Sequence, residues 1–153
     1  MTENGSQKTF SKHARVRARR SAVQALYQWE MTHAPVAQVI AEFIRDRSEL
    51  KKADVEYFTA MLEGATGRVA ELDTGLAPLL DRPVQALDPV ERAILRLGMY
   101  ELLCNSEVPW RVVVNESVEL ARMFGAEQSY KYINGVLDKA ARRLRSAEIR
   151  NVS

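Results

Sequence analysis

The sequence predicts a single all-α domain. Apolar side chains recur with a helical period of about 3.6 residues along most of the chain. Capping and breaking residues separate these stretches, and no segment shows the alternation of polar and apolar side chains that a half-buried strand requires. With 153 residues, of which 46% are hydrophobic, the chain is long and apolar enough to bury one core.

The first predicted helix combines a cationic start with an apolar stripe. Residues 1–13 and 147–153 are predicted to be flexible, which leaves residues 14–146 as the folded domain. The stripe recurs at helical spacing and consists of Ala18, Ala22, Leu26 and Trp29. The basic residues fall within nine positions and are Lys12, Arg15, Arg17, Arg19 and Arg20. A basic surface on a docked helix is typical of a polyanion-binding protein, and nucleic acid is the commonest polyanion.

The remaining apolar stripes and stop signals predict six further helices, at about residues 36–44, 53–72, 78–80, 88–103, 109–124 and 128–145. Gly64 and Gly67 favour close helix packing or a break in the third helix. Asp88, Pro89 and Glu91 have the spacing of a capping box, so they define the start of the fifth. Apolar residues cover most of the circumference of that fifth helix, which predicts that it is central and buried.

The formal net charge is +2, but the charged residues are unevenly distributed along the chain. Residues 1–20 contain six basic side chains and one acidic one, residues 21–130 contain ten and seventeen, and residues 131–150 contain six and two. The basic ends favour a polyanionic partner. The acidic middle favours either a basic protein partner or a surface that is simply solvated.

Cys104 is the only cysteine, so a disulfide framework within the chain is impossible, which fits a reducing cytosol. No apolar run approaches the roughly 20 residues of a membrane span, and the N-terminus lacks the apolar core of a signal peptide. These features predict a cytoplasmic location.

No catalytic constellation is evident in the sequence. His13 and His33 have no cysteine or carboxylate at metal-ligand spacing, and the scattered glycines form no phosphate loop. Glu116 and Glu119 lie one helical turn apart, and solvated or partner-facing carboxylates explain them better than an acid–base pair does. The sequence therefore predicts no enzyme activity, no metal site and no cofactor.

A binding surface is better supported. Arg17, Arg20, Gln24 and Tyr27 share the face of the first helix that points away from its stripe. Guanidinium groups bind phosphates bidentately, each neutralised phosphate releases counterions, and a tyrosine can stack on an unpaired base. A solvated helix start is the alternative, which is disfavoured because cations near a helix N-terminus oppose the helix dipole.

A second group of aromatic and basic residues opens the last predicted helix, where Lys131 lies between Tyr130 and Tyr132. A basic residue between two aromatic rings is suited to single-stranded RNA. Packing of the rings in the core is the alternative, and it is favoured for Tyr130.

Ordered motifs run from residue 15 to about residue 144. They are Arg-x-Arg-x-Arg…Ala-Val-Gln-Ala-Leu-Tyr-Gln-Trp (Arg15–Trp29), Val-Glu-Arg-Ala-Ile-Leu-Arg-Leu (Val90–Leu97), Val-Asn-Glu-Ser-Val-Glu-Leu-Ala (Val114–Ala121), Phe-Gly-Ala-Glu (Phe124–Glu127) and Tyr-Ile-Asn-Gly-Val-Leu-Asp-Lys (Tyr132–Lys139). In this order and spacing the chain resembles the NusB family of bacterial transcription antitermination factors. The three C-terminal motifs are the specific ones, since a basic opening alone is a weak signal.

The resemblance implies about seven helices in two packed subbundles and a protein that acts by binding. Family members bind the boxA segment of nascent ribosomal RNA leader transcripts together with NusE, a protein of the small ribosomal subunit, and help RNA polymerase read through terminators. By position, Glu91 would face the basic NusE. The RNA surface implied by position comprises Arg15, Arg17, Arg19, Tyr27, Arg96, Gln128 and Tyr132. The charge pattern adds Lys12, Arg20 and Lys131 to this set.

Three features depart from the family pattern: Val16 interrupts the usual arginine run, the segment Met1–His13 is longer than the family core needs, and Gln128 stands where an acid is common. Two alternatives remain open from other classes. One is an RNA-binding module related to the N-terminal domains of cytosine-5 RNA methyltransferases, which is disfavoured because the chain has neither a Gly-rich cofactor motif nor a catalytic Cys loop. The other is a protein–protein adaptor. Self-association into a homodimer also remains open.

Overall fold

A computed structural model of the chain describes residues 3–152, and the side chains of residues 12–151. Within this range the structure contains eight α-helices and three short 3-10 helices, and no β-strand. The predicted all-α fold class is confirmed. The chain divides into two compact helical units, Met1–Thr66 and Gly67–Ser153. None of the described helices is long and apolar enough to cross a membrane.

The first unit begins with helix α1 (Glu3–Thr32), which packs against helix α2 (Val36–Asp46) and a 3-10 helix (Ser48–Lys52). Its core includes Phe43 and Phe58, whose rings stack with centroids 6.1 Å apart. The predicted stripe of α1 is buried at Ala18, Ala22 and Leu26, whereas Trp29 is only half-buried.

Helix α1 begins at Glu3, within the segment of residues 1–13 that was predicted to be flexible. Residues 3–13 continue the helix, because no proline interrupts them and a formed helix adds further residues at little cost. Their predicted flexibility stays a prediction, and Met1, Thr2 and Ser153 lie outside the described residues.

The third predicted helix is two helices, α3 (Val55–Gly67) and α4 (Val69–Leu76), separated at Arg68. Gly64 and Gly67 were predicted to allow either close helix packing or a break. At Gly67 the break applies, because a Cβ placed there would meet nothing within 4 Å, so no neighbouring helix packs closely against it. Glycine is a poor helix former, and the Thr66 hydroxyl donates a hydrogen bond of 2.7 Å to the Leu62 carbonyl, a pattern that bends helices.

The second unit is organised around helix α5 (Pro89–Cys104), which packs against α4, helix α6 (Trp110–Phe124) and helix α7 (Ser129–Leu144). The predicted central position of α5 is confirmed, since eleven consecutive residues from Arg92 to Leu102 are buried. Its predicted N-cap is also present, because the Asp88 carboxylate accepts hydrogen bonds from the backbone N–H groups of Val90 and Glu91.

An eighth helix, α8 (Ser146–Val152), covers most of the tail of residues 147–153, whose predicted flexibility stays a prediction. Two contacts attach it to the second unit. The Glu148 carboxylate accepts hydrogen bonds from the Trp110 backbone N–H at 2.9 Å and from the Arg145 guanidinium at 2.7 Å. The Trp110 contact supplies the first turn of α6 with an acceptor that its N-cap, Pro109, cannot offer through its own side chain. Sequence patterns did not predict this helix because one of its two partners, Trp110, lies 38 residues away along the chain.

Candidate nucleic-acid and partner surfaces

The first candidate surface lies in the first unit and is called here the basic surface. It consists of Arg17, Arg20 and Tyr27 on α1, together with Arg47 after α2. Arg17 and Arg20 are half-buried, and neither side chain has a hydrogen-bond or ion-pair partner among the residues that the structure describes. The Tyr27 side chain is 40% exposed. Both guanidinium groups are therefore available to an anion.

Arg47 is the member of the basic surface that sequence reasoning missed. Its guanidinium lies 4.5 Å from the Phe43 ring centroid and donates to the Gln24 side-chain oxygen at 3.4 Å. Gln24 in turn donates to the Arg20 carbonyl oxygen at 3.2 Å. Arg47 lies one helical turn after Phe43, and this spacing could have predicted its position, because an arginine and an aromatic ring at this spacing stack on a helix surface.

Arg15 and Arg19 are held against the Tyr57 ring, with guanidinium carbons 4.4 and 5.4 Å from its centroid. Arg19 is 4% exposed and donates to the Tyr57 hydroxyl at 3.5 Å, so its assignment to the RNA surface is corrected. Arg15 remains about one-third exposed and lies 3.6 Å from an Asp54 carboxylate oxygen, which partly neutralises it. The cause is the spacing of four residues, which places both arginines on the side of α1 that meets the start of α3. Lys12 is exposed on α1.

The second candidate surface lies in the second unit and is called here the Tyr132 cluster, made of Tyr132, Asp81 and Arg82. The Tyr132 hydroxyl donates to the Asp81 carboxylate at 2.9 Å and accepts from the Asp81 backbone N–H at 3.3 Å. The Arg82 guanidinium carbon lies 5.1 Å from the Tyr132 ring centroid. Burial raises the pKa of Tyr132, so its hydroxyl stays protonated and can donate at neutral pH.

Glu91 lies beside this cluster. Its carboxylate accepts a hydrogen bond of 2.6 Å from the Ser129 hydroxyl, which joins the first turn of α5 to the first turn of α7. The pKa of the Arg82 guanidinium is raised, chiefly by its hydrogen bond to Asp81 and to a lesser extent by the charge of Glu91. Glu91 is half-buried, and the carboxylate that was predicted to face a protein partner is already hydrogen-bonded to Ser129.

Gln128 and Lys131 are exposed at the start of α7, one residue before Ser129 and one before Tyr132. Gln128 adopts a left-handed backbone conformation with a φ of 74°, which turns the chain into the helix. Gln128, Lys131 and Tyr132 therefore lie together at the first turn of α7, and their contact with RNA stays a prediction.

Arg96 does not belong to an exposed surface. Its side chain is 4% exposed and makes two parallel hydrogen bonds, of 2.9 and 2.8 Å, to the Asp73 carboxylate. Its assignment to the RNA surface is corrected, because it lies among the consecutive buried residues of α5, where a cation requires a buried partner.

Comparison with known proteins identifies the family to which this arrangement of helices belongs. A family model described as the NusB family matches residues 16–142. The chain belongs to the NusB family. It is 53% identical to the transcription antitermination protein NusB of Alcanivorax borkumensis over 135 residues, which cover 88% of this chain and 89% of that protein. It is 47% identical to the NusB of Nitrosococcus oceani over 137 residues, covering 90% and 91% of the two chains.

Solved NusB structures share the fold. NusB of T. maritima superposes with a TM-score of 0.73 at 31% sequence identity, covering 82% of this chain and 90% of that one. A crystal structure of the antitermination factors NusB and NusE in complex with dsRNA superposes with a TM-score of 0.72 at 26% identity, covering 84% and 96%. The family resemblance read from the motifs is thus confirmed by sequence and by fold.

Proposed function

We propose that this member of the NusB family is a cytoplasmic transcription antitermination factor that binds boxA-type RNA of nascent ribosomal transcripts together with NusE. The bound complex would help RNA polymerase read through terminators. The protein acts by binding and carries out no reaction of its own. The observation that carries the RNA-binding part is a pair of half-buried arginines on α1, Arg17 and Arg20, which have no hydrogen-bond or ion-pair partner within residues 12–151 and share the helix with the exposed Tyr27.

The physical basis is attraction by these arginines and stacking by the aromatic rings. An arginine with no internal acid can give its donors to phosphate oxygens without first breaking an ion pair. Tyr27 and Tyr132 offer rings on which unpaired bases can stack. Arg19 and Arg96 are left out of the proposed surface because they are buried. The remaining proposed contacts are Lys12, Arg15, Gln128 and Lys131.

The proposed NusE contact includes Glu91 and draws on the acidic residues between positions 21 and 130. A basic partner would meet complementary charge there, which favours rapid and selective association. The solved NusB–NusE complex supports this pairing as a property of a relative with the same fold. Glu91→Arg should weaken NusE binding, whereas an unchanged affinity would place the partner surface elsewhere.

The test of the RNA surface is a fluorescence anisotropy titration of labelled boxA RNA with the wild type and with Arg17→Gln/Arg20→Gln, with and without NusE. The matched control is Arg45→Gln, since Arg45 is an exposed arginine of the same unit that pairs with Asp46 at 2.8 Å. Each lost phosphate contact on a single strand should lower the slope of log K against log salt by about 0.7.

The double variant should therefore bind tens of times more weakly at low salt and show a slope lower by about one to one and a half, while Arg45→Gln resembles the wild type. Competition with a duplex of the same sequence measures the preference for a single strand. Equal affinity and slope for the double variant and the control would refute the RNA surface. A wild type that binds NusE but no RNA would instead identify a protein–protein adaptor.

A further inference from the structure

The Tyr132 cluster contains a guanidinium that the proposed function does not yet use. Arg82 forms two parallel hydrogen bonds with the Asp81 carboxylate, of 2.7 Å from Nε and 3.0 Å from Nη2. The same carboxylate accepts the hydroxyl hydrogen bond of Tyr132. One acidic group thereby fixes both the plane of a guanidinium and the orientation of the aromatic ring beneath it.

The cluster is accessible to a ligand. The side chain of Arg82 is 45% exposed and that of Asp81 is 60% exposed. A guanidinium has five N–H donors, and Asp81 engages two of them, so three remain for another acceptor. The hydrogen bonds from Arg82 and Tyr132 lower the pKa of Asp81 to about 2, so the carboxylate remains charged and the cluster stays assembled at neutral pH.

A role in stability explains the Arg82–Asp81 ion pair poorly, whereas the Tyr132–Asp81 hydrogen bonds join residues 51 apart in the chain. Exposed ion pairs contribute little to the free energy of folding, and Arg82 and Asp81 are adjacent in the chain, so their pairing closes no loop. The pair does something different for recognition. It holds a cation over an aromatic ring at the start of α7, next to Gln128 and Lys131.

We propose that Arg82 is an RNA-contacting residue that donates to a phosphate oxygen from a position set by Asp81 and Tyr132. This inference rests on the proposed RNA binding. Asp81 acts as a positioning residue, since its carboxylate accepts hydrogen bonds from both the guanidinium and the Tyr132 hydroxyl. Because Arg82 is restrained before the RNA arrives, less side-chain entropy is lost on binding than for a free arginine. The guanidinium also covers part of the Tyr132 ring, so a base at this site stacks against the arginine–tyrosine pair.

The experiment compares Arg82→Gln with Arg142→Gln in the full-length protein, using a fluorescein-labelled single-stranded boxA RNA over a series of salt concentrations. Arg142 is the matched control because it is an exposed arginine of the same unit, paired with Asp138 at 2.9 Å. Arg82→Gln should bind about three- to tenfold more weakly and lower the salt slope by about 0.7 to 1, whereas Arg142→Gln should change neither. Circular dichroism confirms that both variants are folded.

Tyr132→Phe supplies an independent measurement, because it keeps the ring and all charges but removes the hydroxyl that anchors the ring to Asp81. It should weaken binding a few-fold at an unchanged salt slope. The RNA contact of Arg82 is refuted if Arg82→Gln matches Arg142→Gln while the wild type binds RNA normally. The positioning role is refuted if Tyr132→Phe binds as the wild type does. Failure of the wild type to bind RNA at all, with or without NusE, would overturn the proposed function and this inference together.

Discussion

Removal of the buried guanidinium of Arg145 should destabilise the second unit more than removal of any exposed arginine. Arg145 is 7% exposed and sits between the end of α7 and the start of α8. It donates to the carbonyl oxygens of Leu102, Glu101, Asn105 and Val108 at 2.8, 3.1, 3.0 and 3.0 Å. Two of these carbonyls end helix α5 and two belong to the loop that leads to α6.

The expected magnitude follows from these bonds. A helix leaves its last carbonyl groups without internal partners, and a cation there also interacts favourably with the helix dipole. Hydrogen bonds to a charged donor are worth about 1.5–3 kcal/mol each in isolation, but they share one side chain and do not add. We therefore expect Arg145→Ala to lower the free energy of unfolding by about 3–5 kcal/mol, because several buried carbonyl oxygens lose their donor at about 1–3 kcal/mol each and less than additively.

The assay is urea unfolding followed by tryptophan fluorescence in a Trp29→Phe background, so that Trp110 reports on the second unit. With a denaturant dependence of about 2 kcal/mol per molar urea, the midpoint should fall by about 2 M. Arg142→Ala is the control, since it removes only an exposed pair with Asp138 and should shift stability by less than about 0.5 kcal/mol. If the midpoints of Arg145→Ala and Arg142→Ala differ by less than about 0.3 M, the stabilising role given to Arg145 is wrong.

Two further predictions concern packing and pH. A Cβ at Gly98 would lie 2.7 Å from Cδ1 of the fully buried Leu137, so Gly98→Ala should lower the free energy of unfolding by about 1–2 kcal/mol. A Cβ at Gly135 would meet nothing within 4 Å, so Gly135→Ala should raise the free energy of unfolding slightly. Urea unfolding measures both variants, and equal changes in their stability would contradict this prediction. The pKa of Glu148 is lowered, mainly by the hydrogen bond from the Trp110 N–H, so its stabilisation is present above the ordinary glutamate pKa and is lost as the pH falls through the lowered value. Unfolding of the wild type and Glu148→Gln between pH 7 and about pH 3 should therefore show a difference that shrinks with acidification, and a constant difference would refute the assignment.

The local features predicted best are those whose causes lie within a few residues. The N-cap of α5 was predictable because Asp88 bonds to groups two and three residues away. The sequence could not predict the partner of the other capping-box residue, Glu91, because its carboxylate accepts a hydrogen bond from Ser129, which is 38 residues distant. Helix α8 was missed for the same reason, since one of its two attachments is the backbone N–H of Trp110 at the start of α6, 38 residues before Glu148.

The sequence by itself determined the fold class, the family and the basic cluster Lys12–Arg20 of α1, because helical periodicity and motif spacing are local properties of the chain. Only the tertiary structure decided which arginines reach solvent. Arg17 and Arg19 look equivalent in the sequence, yet Arg19 is buried against Tyr57 while Arg17 remains accessible. An arginine has a long apolar stem and a charged end, so either environment suits it, and the choice depends on the partner that folding brings to that face.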